Sequence, residues 1–266
     1  MFTHPELLVS RLVFVGLVIE SFQIIHLRRA FGSQGIFCRT HLQLLTAGVA
    51  WHQRVGATVG GSAAVTTAAI LQLGAATAVI AIGTGTESGI AAALVCLVTA
   101  GYIRMRRQIG GSGAEQLTFI ALVTFAIVLV AGGGATARVM GDVFIGAQIV
   151  LAYVAAGAAK ACSPTWRRGG AMSGILSTEC YGLPHLNSIL RAHPGLDKVL
   201  GWTVIVWELG FLAILFAPPP VAVGILISGA AFHVGCAFVM GLNRFTWAFC
   251  GCYPAVFVMV TTLHSM

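Results

Sequence analysis

Charge is what this chain has least of. Asp and Glu together number 8 in 266 residues and Lys and Arg 15, and only Lys160 and Lys198 are lysines. So few ionic groups exclude a water-soluble globule of ordinary surface, and a disordered segment as well. Cysteine is sparse and odd in number at seven, and all seven fall in apolar runs or on the basic side, which excludes a disulfide framework. Cys250 and Cys252, two apart on a helix, point away from each other and read as packing residues. No His-x-x-x-His spacing occurs, and His185 and His193 are eight apart among prolines, so no metal site is expected. A serine–histidine nucleophile is equally unsupported, and no internal repeat of the kind found in many transporters is visible. Glycine is plentiful at 33, yet none of its clusters lies between a strand and a helix as a phosphate loop must.

What the chain does have is apolar length. Hydrophobic residues make up 58 % of it, with a mean hydropathy of +0.92. About 20 apolar residues cross a hydrocarbon core of about 30 Å. Eight runs are candidates, at 7–25, 55–82, 88–103, 117–133, 143–159, 199–217, 221–242 and 246–263. Seven spans remain if 88–103 is re-entrant. Backbone groups cannot go unpaired in lipid, and the runs are too long for barrel strands. The expected fold is all-α: a polytopic integral membrane helical bundle of about eight transmembrane helices in a single domain, 1–266. Arg11 and Glu20 inside the first run, with no small-residue cleavage site, mark it as a retained helix rather than a signal peptide.

Basic residues alternate in placement. Arg28, Arg29, Arg39 and Arg54, then Arg104, Arg106 and Arg107, then Arg167, Arg168, Arg191 and Lys198, then Arg244 fall on one side, against Arg138 on the other. The positive-inside rule puts the basic loops in the cytoplasm and the N-terminus outside. It also accounts for the net charge of +7 through membrane lipid, with no nucleic acid as partner. Two cytoplasmic connections, 26–54 and 161–198, mix aromatic and basic residues and are expected to hold short interfacial helices.

Polar residues inside a span cost roughly 2.5–3.5 kcal/mol per central charge, so each asks for a reason. Arg11, Glu20 and Gln23 lie in the first run, Gln72 in the second, Gln148 and Lys160 in or at the end of the fifth, Glu208 in the sixth and His233 in the seventh. Glu208 is either the structural partner of Arg11 or a proton donor or acceptor. His233 either bonds a neighbouring helix, or serves a quinone or phenolate oxygen or passes a proton. Lys160 either snorkels to the interface or, among Ala158, Ala159 and Ala161, acts as a base.

The stretch Tyr153-Val-Ala-Ala-Gly157-Ala-Ala-Lys160, followed by Trp166-Arg-Arg-Gly169, resembles a motif of the vitamin K-dependent γ-carboxylase-like family, whose bacterial members are called horizontally transferred transmembrane proteins. Trp202–Gly210 with Trp207-Glu208-Leu209 is similar to that family's tryptophan/glutamate helix. Phe232-His233, Gly241, Phe245-Thr-Trp247, Pro254 and Phe257 are similar to its ending, and the Arg11 helix fits loosely. The resemblance implies a bacterial cytoplasmic membrane enzyme that oxygenates or epoxidises a quinol or isoprenoid lipid. A reduced, menaquinol-like quinone and molecular oxygen would be cosubstrates. It also implies Lys160 as base and sets His233 in the same catalytic region; on this reading His233 and Glu208 handle oxygen-bound protons or orient the substrate. The pattern departs in having Ala159-Lys160 where the family has two lysines, and in a lysine–tryptophan spacing one residue longer. The sequence ends at Met266 after its last span, so the expectation is the membrane module without the animal enzyme's soluble domain, serving a lipid-soluble substrate or a peptide brought by a separate subunit.

A second reading is a membrane terpenoid cyclase, in which Glu208 or Glu20 protonates an alkene or epoxide and Trp202, Trp207 and Trp247 stabilise cations. A third is a non-catalytic subunit or small transporter, with Lys160 and an Arg11–Glu208 pair purely structural. Across the enzymatic readings the substrate-contacting candidates are Trp166, Trp202, Trp207, Trp247, Arg11 and Glu20.

Overall fold

The computed structural model describes residues 5–38, 61–107 and 111–265, and every regular element among them is helical. Arg39, His41, Trp51, His52, Arg54 and the first six residues of the run at 55–82 lie outside the described residues. In order come α1 (Pro5–His26), a 3-10 turn (Arg28–Phe31), α2 (Ser62–Ile82), α3 (Glu87–Arg106), α4 (Gly113–Val130) and α5 (Ala135–Cys162). Three short helices follow: α6 (Pro164–Arg168), α7 (Ala171–Leu176) and α8 (Pro184–Ala192). The chain ends with α9 (Pro194–Gly210) running into a 3-10 stretch (Phe211–Phe216), α10 (Pro219–Met240) and α11 (Asn243–His264).

Seven of these, α2 to α5, α9 with its 3-10 extension, α10 and α11, are long and apolar enough to cross a membrane. The 22-residue α1 adds an eighth long helix, of which only the side chains from Arg11 onward are described. α3 is continuous over 20 residues and is one of the seven long enough to cross.

The helix starts are written locally. Proline opens α6, α8, α9 and α10, where its missing N–H has no partner to lose. The Thr86 hydroxyl accepts from the Gly89 N–H at 3.1 Å to cap α3, and Ser112 accepts from Glu115 N–H at 3.3 Å to cap α4. Two starts differ from expectation. α5 begins at Ala135 rather than near 143, because Arg138 and Asp142 continue the helix instead of ending it. α9 begins at Pro194 rather than near 199, as proline is favoured in a first turn. The connection 161–198 holds three short helices.

The chain divides into two compact units, Met1–Arg138 and Val139–Met266. In the first, Phe14 and Leu17 of α1, Ala76 and Val79 of α2, Ala93 and Cys96 of α3 and Leu122 of α4 form one buried cluster. Beside it runs a buried polar seam. The Gln72 amide nitrogen donates to Glu20 Oε2 at 3.4 Å, Ser21 Oγ at 3.2 Å and the Leu17 carbonyl at 3.4 Å, while its oxygen accepts from Thr99 Oγ1 at 3.4 Å. Glu20 also pairs with Arg107 at 3.5 Å, and Arg107 with Glu115. This seam ties α1 and α3 to α2 through one side chain. Gln72→Leu is expected to destabilise the protein by about 2 kcal/mol, four inter-helix bonds at roughly 0.6 kcal/mol each. Thermal unfolding in detergent measures this, and an unchanged midpoint would show that the seam contributes nothing.

In the second unit, small residues let helices close up, as where Gly146 of α5 faces the backbone of Ala255 and Val256 of α11. Buried Asp197, in the first turn of α9, accepts from the N–H groups of Met172 and Ser173 at 3.1 Å each, which fastens α7 to α9.

Candidate functional site

The polar residues of the second unit gather along one face of α5. Tyr153, Gly157 and Lys160 are spaced by four and three, so they line up over two turns, with Tyr153 and Lys160 about 10 Å apart along the axis. Facing them on α9 and its extension are Trp207, Glu208 and Phe211. Gly157 makes the approach feasible: a Cβ there would stand 3.0 Å from Glu208 Cβ and from the Leu209 nitrogen.

At the end nearer the basic loops, Lys160 Nζ donates to both carboxylate oxygens of Glu208 at 2.8 Å. The ammonium also lies over the Trp166 ring, 5.2 Å from its centroid. The Glu208 side chain is 7 % exposed and that of Lys160 22 %. The partner that Glu208 finds within its own unit is Lys160; Arg11 belongs to the other unit, and its side chain is exposed. Distance along the chain hid this pair, since 48 residues separate the two.

Two turns away along α5, the Tyr153 hydroxyl meets His233 Nε2 of α10 and the Tyr253 hydroxyl of α11, each at 2.6 Å. All three side chains are buried. Rings enclose them: Trp207 meets Tyr153 edge-on at 5.0 Å, Phe211 lies 4.1 Å from it, and Phe249 sits 4.4 Å from His233. Phe232 stacks on Trp207 at 4.8 Å, and Trp207 Nε1 donates to Ser228 Oγ at 3.3 Å. The crowding is tight enough that a Cβ at Gly229 would fall on the Tyr253 hydroxyl.

The structure thus brings together Lys160, Glu208 and Trp166 in one group, and His233 and Trp207 in the next. Trp202 is exposed and donates from Nε1 to the Arg167 carbonyl at 3.2 Å, bracing α6. Trp247 is half-buried and is not one of the stacked rings. Arg11 and Glu20 belong to the first unit. In the sequence Tyr153 stands out only as part of a motif, and nothing marks Tyr253 as a site residue. The available signal was a tyrosine hydroxyl deep in an apolar run, which must find a partner when buried. Among the described residues no three His, Cys, Asp or Glu side chains converge as metal ligands. Set against known protein families, curated proteins and solved structures, the chain matches none, so its site is read from geometry and chemistry alone.

Proposed function

We propose that the chain is an intramembrane enzyme that takes a proton from a quinol or other lipid-soluble substrate, with the Lys160–Glu208 pair as base. The observation that carries this is the pair itself. A buried ion pair contributes little net stability over apolar residues of the same size, so stability is a weak reason for setting one into lipid. Proton transfer from Lys160 to Glu208 across the 2.8 Å contact leaves a neutral amine with a free lone pair. That amine takes the proton of a quinol hydroxyl, and the pair ends as ammonium and carboxylic acid. The partial exposure of Lys160 lets a substrate dissolved in the bilayer reach it from the side. Tyr153 and His233 offer hydrogen bonds to substrate oxygens, and the surrounding rings exclude water. Attack of dioxygen on the resulting anion, giving oxygenation or epoxidation, is the chemistry the carboxylase-like resemblance implies.

A terpenoid cyclase needs a carboxylic acid free to protonate an alkene. Glu208 is held by Lys160, and Glu20 by Gln72 and Arg107, which weighs against that reading. Mass spectrometry of lipids that co-purify with the protein tests the choice. A prenylated quinone enriched over the host membrane, converted only in the presence of oxygen, is expected. A polyprenyl compound converted anaerobically would sink the quinol assignment, and no enriched lipid at all would favour a structural subunit.

A further inference from the structure

Arg106, at the C-terminal end of α3, is fully buried, with 0 % exposure. None of its three guanidinium nitrogens has a hydrogen-bond partner among the described residues. Ile103, one turn earlier, packs against Val65 and Ala69 of α2 and Phe31 of the 3-10 turn. α2 and α3 run antiparallel, joined by a short link, so Arg106 stands level with Ser62–Thr66 in the first turn of α2. Ser62, Ala63 and Thr66 of that turn, with Arg28, Arg29, Ser33 and Thr67, line a cavity of about 840 Å³. The N-cap of α2, Gly61, gives its first turn no side-chain hydrogen bond.

Among the described residues at this end of the first unit, Arg28, Arg29, Arg104, Arg106 and Arg107 outnumber the carboxylates Glu20 and Glu115, and Arg107 pairs with both. In sequence, residues 39–60 contain neither Asp nor Glu and include Arg39 and Arg54. A buried guanidinium with no counter-charge is costly, so an anion from outside is called for. The cavity sits at the ends of apolar helices, the depth at which bilayer phosphates lie.

We propose that this cavity binds the phosphate of an anionic phospholipid headgroup, gripped by Arg28 and Arg29 with buried Arg106 as the nearby counter-charge. The ligand chemistry is a phosphate oxyanion, which guanidinium groups match in geometry. The full-length protein in phosphatidylcholine nanodiscs, with phosphatidylglycerol added, tests this by native mass spectrometry of the lipids it retains. Wild type is expected to keep phosphatidylglycerol over phosphatidylcholine. The exposed double variant Arg28→Gln/Arg29→Gln should weaken that preference by about tenfold while leaving the fold intact. Arg106→Met should weaken it too, and if that variant does not fold the double variant decides. Inorganic phosphate added to phosphatidylcholine nanodiscs separates the sources: raised thermal stability in wild type alone means the site takes free phosphate as well as headgroups. Equal retention of the two lipids by wild type, or an unchanged preference in the double variant, would overturn the proposal.

Discussion

Glu208→Leu will lower stability by about 3 kcal/mol, the lower end of the range for breaking a buried pair. The reason is the charge left behind: the Lys160 ammonium loses both of its 2.8 Å contacts inside an apolar helix packing. The lower end applies because Lys160 keeps 22 % exposure and can bend toward the interface. Lys160→Met leaves the more deeply buried carboxylate alone, and a similar loss follows. The double variant Lys160→Met/Glu208→Leu removes both charges and should regain wild-type stability or exceed it. Turnover should be absent in all three. Thermal unfolding of the four proteins closes the cycle, and strictly additive losses would show that the two residues do not interact. Full activity in Lys160→Met would remove that residue from the chemistry, whatever its effect on folding.

The second large effect is expected from Tyr153→Phe. The ring stays in place against Trp207, Phe211 and Phe249, so packing is preserved. What is lost is one hydroxyl that bonds two partners, His233 Nε2 and the Tyr253 hydroxyl. Both are buried and would lose that partner, at about 2 kcal/mol together. If the Tyr153–His233 group handles substrate protons or oxygens, turnover falls by about 100-fold or more. A loss of stability without a loss of rate would make this a purely structural clasp. His233→Gln offers the matching control, since the amide can keep a bond to Tyr153 but cannot relay a proton.

How much of this could be read from residues alone varies with the kind of interaction. Apolar runs of about 20 residues declare themselves by composition, and seven of the described helices answer to the runs marked in the sequence. Their ends are less legible, because a helix crossing into the interface tolerates charge. The apolar run from 143 leaves out Arg138 and Asp142, and both lie well inside α5. The costly residues Lys160, Glu208, His233, Gln72 and Glu20 were each visible as misfits in lipid. Who would pair with whom was not, because pairing depends on which helix faces which. Glu208 was set against Arg11 by charge alone, whereas the close approach of α5 and α9 at Gly157 brings Lys160 to it. Tyr153 and Tyr253 were harder still, since tyrosine in a membrane chain is readily taken for an interfacial anchor. Arg106 carried the opposite ambiguity. It read as one of several topogenic arginines, and only its burial sets it apart from Arg104 and Arg107.

The Lys160–Glu208 pair also has an electrical side. Oppositely charged and 2.8 Å apart, the two groups sum to zero, so the membrane potential, worth about 2.3 kcal/mol per elementary charge per 100 mV, exerts no net pull on the pair. A proton taken from a substrate already in the bilayer leaves one anion beside one added positive charge, and nothing crosses the field. If this pair deprotonates a substrate as proposed, the step moves no net charge across the membrane, and its rate is expected to be the same whether or not the membrane is energised.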